Sequence, residues 1–132
     1  MLPATSGQQN YGNSTLSIFN SSGTPISPLS GYTGGGLNKP VDLAIDGTGN
    51  VWVANAPGNS VSEFNSNGTA ISGPAGYTAN GLYEPTNIAI DCSGNVWVAE
   101  SNYYLSELIG AASPVVTPLA TAVKNNTVAT RP

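Results

Sequence analysis

Residues 42–55, DLAIDGTGNVWVAN, return at residues 87–100 as NIAIDCSGNVWVAE. The same spacing of 45 joins LSIF at 16–19 to VSEF at 61–64 and GYT at 31–33 to GYT at 76–78. It also joins Pro40 to Pro85 and Trp52 to Trp97. A gapless internal repeat of this length means one supersecondary unit used several times, each unit burying its apolar faces on its neighbours.

Within a unit the apolar pattern has the period of strands. Residues 42–46 and 51–54 are short runs of Val, Ile, Leu, Ala and Trp bounded by turn residues, which predicts a tight antiparallel hairpin. In its turn Gly49 and Gly94 accept positive φ, and Asn50 and Asn95 tolerate the left-handed region. Asp46 and Asp91 are placed to accept backbone N–H groups two residues on and so fix the turn. Calling the strands of a unit a, b, c and d, the chain reads c-d, a-b-c-d, a-b-c-d. The c strands are 15–20, 61–65 and 105–109, and the d strands are 24–29, 69–72 and 115–119. Pro25 and Pro28 put the first d strand at a sheet edge, because proline gives no ladder hydrogen bond. The expected organisation is a flexible lead-in at 1–12, a half unit at 13–39, full units at 40–84 and 85–119, and a polar tail at 120–132.

Composition narrows the function classes. Charged residues make up 8% of 132, the formal net charge is −4, and the only basic residues are Lys39, Lys124 and Arg131. That is too little positive charge for a nucleic-acid surface, and no apolar run is long enough for a membrane helix. Polarity comes from Ser, Thr and Asn, as expected of an exported or cell-surface chain whose export signal is not in this sequence. Histidine is absent. A Ser-His-Asp or Cys-His nucleophile is thereby excluded, as is a metal site built on His or paired Cys. The lone Cys92 forms no intrachain disulfide and replaces Gly47 of the other copy. LPATS at 2–6 departs from a sorting signal in its last residue and stands at the wrong end of the chain. One carboxylate per turn is too few for a calcium loop, so no metal and no cofactor are expected. Sequons at Asn13, Asn20, Asn67 and Asn125 follow from the abundance of Asn, Ser and Thr.

The pattern P-x-x-[IL]-A-I-D-x-x-G-N-V-W-V-A-[NE], followed by a short loop and V-S-E-F, resembles the NHL-repeat family of β-propellers. The match covers residues 13–119. The resemblance implies an all-β fold of four-stranded antiparallel propeller-type blades, about two and a half of them, open unless joined to further blades. It also implies kinship with virginiamycin B lyase, whose type of chemistry calls for a histidine base and a metal. That activity is not carried over to a chain without histidine, and the chain is expected not to be an enzyme. The expected function is a scaffold or self-assembling unit, partnered by copies of itself or by the remainder of a longer propeller chain. The alternative is a glycan- or protein-binding module. Its ligand residues would be Tyr32, Tyr77, Tyr83, Asn55, Glu100, Asn102, Tyr103 and Tyr104 on one loop face, beside Asn38, Lys39 and Glu84. Tyrosine with Asn suits such recognition, giving flat contact area and hydrogen bonds together. Trp52 and Trp97, set between valines, are expected in the core between blades.

Overall fold

The computed structural model describes residues 6–78 and 81–115. Its strands are β1 (Ser6–Asn10), β2 (Thr15–Phe19), β3 (Pro40–Ile45), β4 (Val51–Asn55), β5 (Ser60–Phe64), β6 (Pro85–Ile90), β7 (Val96–Glu100) and β8 (Leu105–Leu108). They form three antiparallel sheets in the order β1-β2, β3-β4-β5 and β6-β7-β8. These sheets are blades 1, 2 and 3 of an all-β, propeller-type stack.

The stretch expected to be a flexible lead-in contains a strand. β1 pairs with β2 from Ser6↔Phe19 to Asn10↔Thr15, and this register repeats that of β4 on β5, Val51↔Phe64 to Asn55↔Ser60. Ser6–Asn10 is therefore strand b of blade 1. SGQQN hides it because it carries none of the apolar residues of VWVAN. Residues 1–5 of the expected lead-in, and all of the expected tail at 120–132, lie outside the described residues.

Strand d is reduced to single bridges, Phe19↔Pro25 and Phe64↔Ala70. Beyond each bridge a serine hydroxyl takes the place of the ladder. Ser27 Oγ accepts the Ile18 N–H at 3.2 Å, and Ser72 Oγ accepts the Glu63 N–H at 2.9 Å. The carbonyls of Ile18 and Glu63 each receive two backbone N–H groups from that segment. No such bridge joins β8 to a later segment among the described residues. Instead the chain after β8 crosses the hairpin turns. The Ala112 N–H bonds the Gly94 carbonyl, and the Gly47 N–H bonds that of Ser113. The expected third d strand, 115–119, lies outside the described residues except for Val115, which is not in a strand.

Alternation along the strands sends successive side chains to opposite blade faces. One core lies between blades 1 and 2, made by Leu16, Ile18, Val51, Val53 and Phe64. The other lies between blades 2 and 3, made by Trp52, Ala54, Val61, Leu82, Ile88, Val96, Val98 and Ala112. Most positions of the second core are the 45-residue images of the first, as Leu82 is of Leu37 and Val98 of Val53. The main exception is Gly7, which stands where Trp52 stands one repeat later. A Cβ on Gly7 would already lie 3.2 Å from Leu43 Cδ2. After Glu100 the period shortens, because Ala99 pairs with Leu105 where Ala54 pairs with Val61. The b-to-c loop of blade 3 is one residue shorter.

Candidate functional site

The hairpin turn is built around a carboxylate. Asp46 Oδ1 accepts the N–H groups of Thr48 (3.0 Å) and Asn50 (2.9 Å) and the Thr48 hydroxyl (2.9 Å). Its Oδ2 accepts Asn50 Nδ2 (3.2 Å), Trp52 Nε1 (3.3 Å) and the Ser113 N–H (3.1 Å). Burial alone would raise the Asp46 pKa, but the donors of Ser113, Asn50 and Thr48 outweigh it and hold it below the ordinary value. Asp91 repeats the arrangement with Ser93, Asn95 and Trp97. The bond from Trp97, then that from Asn95, lowers its pKa. Both are saturated anions that fix the turn. Gly49 and Gly94 take positive φ as expected. Asn50 and Asn95 do not; they act through their side-chain amides instead.

Beside this cage lies a group that sequence reasoning passed over. Glu63 pairs with Trp52 across the β4–β5 ladder and is 7% exposed. Its Oε2 accepts the Tyr77 hydroxyl at 2.6 Å, and Tyr77 stacks on Trp52 with ring centroids 5.7 Å apart. Burial raises the Glu63 pKa, opposed by the Tyr77 bond and reinforced by the Asp46 charge. Burial, and then Glu63 itself, push the Tyr77 phenol up to about 12. The signal was the strand register, which brings a carboxylate opposite a core tryptophan.

The proposed ligand residues separate into two groups. Asn55 and Glu100 are buried. Asn55 Oδ1 accepts the Asn38 N–H and its Nδ2 reaches Ser62 Oγ at 3.0 Å, while Glu100 Oε2 accepts the Tyr83 N–H and Oε1 the Ser106 hydroxyl. These two residues anchor the connections between blades rather than facing solvent. Tyr32 and Tyr77 are half buried, packed against the two cores, with the Tyr32 hydroxyl donating to the Ile26 carbonyl. Tyr83, Tyr103 and Tyr104 are exposed, and the half-buried Asn102 caps the Tyr104 N–H. Lys39 and Glu84 take positive φ at equivalent positions, where their N–H groups bond Ser14 Oγ and Asn59 Oδ1.

Of the concave surfaces among the described residues, two bear on the candidate site. One, of about 450 Å³, lies among the d-to-a and b-to-c loops and is walled by Gly34, Gly36, Asn38, Gly58, Ser60 and Thr78. None of the proposed tyrosines lines it. Its closeness of backbone demands glycine. A Cβ on Gly36, where φ is 84°, would sit 2.2 Å from the Gly76 nitrogen. The other, of about 340 Å³, is the outward face of blade 3, lined by Asn87, Ala89, Trp97, Ala99 and Leu105, with Asp42 and Ile88 at its margin. Trp52 is a core residue as expected, but Trp97 is only half buried because none of the described residues forms a further blade on this face. Among the described residues no group of three or more His, Cys, Asp or Glu comes together to hold a metal.

No protein-family model matches the chain, and no curated protein matches it. Solved structures do. A gluconolactonase-like protein aligns with a TM-score of 0.52 at 19% identity, over 79% of this chain and 35% of its own. Streptogramin B lyase aligns at 0.46 and 14% identity, over 75% and 35%. Virginiamycin B lyase from Staphylococcus aureus aligns at 0.38 and 18% identity, over 53% and 26%. The chain thus spans about a third of these structures or less. All three bear the names of enzymes, which corrects the expectation of a non-enzymatic chain. Structures of this build include one that bears the name of a gluconolactonase. At these identities the likeness establishes architecture alone: the chain is a propeller-type blade module.

Proposed function

We propose that this chain is an NHL-type repeat module of an exported or surface bacterial protein, and that it assembles by adding further blades to its open end. The observation that carries the reading is the outward face of blade 3. Its Ala89, Trp97, Ala99 and Leu105 are the repeat images of Ala44, Trp52, Ala54 and Val61, which blade 2 buries against blade 3. A surface built for blade packing and left uncovered by the described residues calls for a blade-like partner. Copies of this chain can supply it, as can the rest of a longer propeller. The Ser-, Thr- and Asn-rich, weakly charged composition supports export. Light scattering across a concentration range tests self-assembly. The expected mass is a multiple of 13.3 kDa, and a strict monomer would leave only the blades of a longer chain to cover the face.

A second reading has its own observation, the glycine-walled depression on the loop face, with Tyr83 and Tyr103 exposed elsewhere among the loops. It makes the module a glycan or protein binder. Tyr83→Ala and Tyr103→Ala would then abolish retention on a glycan or protein array while leaving the mass unchanged. Retention unaffected by both changes rejects this reading.

A further inference from the structure

The joint between blades 2 and 3 holds a carboxylate that the architecture does not require. Glu63 stands in β5 at the position of Ile18 in β2, one repeat earlier, and Ile18 is fully buried there. The tyrosine beside it does not require a carboxylate either. Tyr32, the repeat image of Tyr77, gives its hydroxyl to the Ile26 carbonyl, whereas Tyr77 gives its own to Glu63 Oε2. Blade 1 thus builds the same arrangement without a charge.

Glu63 is also poorly matched as an anion. Its neighbour Asp46 collects donors from Thr48, Asn50, Trp52 and Ser113. Glu63 has one close donor, the Tyr77 hydroxyl at 2.6 Å on Oε2. Its Oε1 lies 3.4 Å from Asn50 Nδ2, an amide shared with Asp46 Oδ2 at 3.2 Å. One carboxamide therefore stands between two buried carboxylates. From β4 the residue opposite Glu63 is the uncharged Trp52. Asp42 of β3 is committed to the Ile88 N–H. Among the described residues blade 3 sends no hydrogen bond to Glu63, and its Asp91 is tied to Ser93, Asn95 and Trp97 of its own turn. Lys39, the one basic side chain among the described residues, lies over the Tyr11 ring.

A buried carboxylate beside a like charge and without a cation gains by taking up a proton. Of the two acids Asp46 stays ionised, because its donors favour the anion. The proton belongs on Glu63 Oε1, the oxygen that Tyr77 leaves free. There it removes the repulsion and makes Oε1 a donor on the side of Asn50 and Asp46. We infer that Glu63 is a proton site bracing the joint between blades 2 and 3: in mildly acidic surroundings it becomes a neutral acid, and the Tyr77–Trp52 stack is then held most firmly. This goes beyond the assembly reading and is independent of what covers blade 3.

The folded chain binds this proton more readily than the unfolded chain, since burial and the Asp46 charge both favour the neutral form. Stability therefore rises as pH falls through the folded Glu63 value toward that of an ordinary glutamate. The Asp46 contribution has the opposite sign and is lost at lower pH, so stability peaks between the two.

Carbon-13 NMR of the glutamate carboxyls through a pH titration of the full chain tests the inference, with Glu63→Gln assigning the resonance. Glu63 is expected to titrate above an ordinary glutamate. Tyr77→Phe removes a donor that favours the anion and should move the titration higher. Asp46→Asn removes the repelling charge and should move it lower. Urea unfolding gives a second readout that needs only one variant. Glu63→Gln is neutral at every pH, so the wild-type midpoint should gain on it as pH falls from about 7 to about 5. Glu63 titrating at or below the ordinary value, or a difference between the two midpoints that does not change with pH, overturns the inference and leaves the assembly reading untouched.

Discussion

Asp46 does more for this fold than its place in a turn suggests. It gathers donors from its own hairpin, from a core tryptophan and from Ser113, 67 positions later in the chain. Asp46→Asn keeps the shape but removes the charge that those donors are arranged around. A loss of about 2 kcal/mol is expected at pH 7, the scale of hydrogen bonds to a charged group, read from urea unfolding. The pH dependence has a definite sign. The folded-state pKa lies below that of an ordinary aspartate, so the stabilisation is complete above the ordinary value and is lost as pH falls through the folded one. Wild-type stability should therefore drop below about pH 4, and Asp46→Asn, already weaker, should drop less. Gly36 gives a second prediction. Alanine there meets the Gly76 backbone and a φ of 84°, so Gly36→Ala should cost about 2 kcal/mol or more in the same assay. The turn carboxylates and glycines were legible in the sequence because their roles are local. Asn55 and Glu100 are buried and Tyr32 and Tyr77 half buried because strand pairing and blade packing, not local sequence, decide which way they point.

At the scale of elements, the hairpins and c strands were readable from alternation and turn chemistry, with ends within two residues of those observed. β1 was not, since its pairing depends on register with β2 and not on its own apolar content. The d strands were over-read. Each ladder stops at a single bridge, at Pro25 in one blade and at Ala70 in the other, and in both a serine side chain does the work expected of a strand. Ser72 is the clearer case, 5% exposed, accepting the Glu63 N–H and donating to the Gly35 carbonyl at 2.7 Å. Ser72→Ala should leave that N–H buried without its partner, a cost of about 1–3 kcal/mol. Amide hydrogen exchange would show it as lost protection at Glu63 with β3 and β4 unchanged. Exchange at Glu63 as slow as in the wild type would mean the hydroxyl is dispensable.

For the whole molecule, the blade order and the two inter-blade cores follow from a repeat visible in the sequence. The asymmetry of the ends does not. It emerged only when β1 was placed as strand b of blade 1, which puts Ser6 and Gln8 where blade 2 has Val51 and Val53. The central claim is that, among the described residues, blade 2 is covered on both faces and blade 3 on one. The chain has two tryptophans, one on each equivalent face, with Trp52 1% exposed and Trp97 half buried. Acrylamide quenching of their fluorescence, followed from dilute to concentrated protein, reads the claim directly. One protected and one accessible population are expected in dilute solution, the accessible one becoming protected as concentration rises. Two tryptophans equally protected at every dilution, or equally accessible, would contradict it.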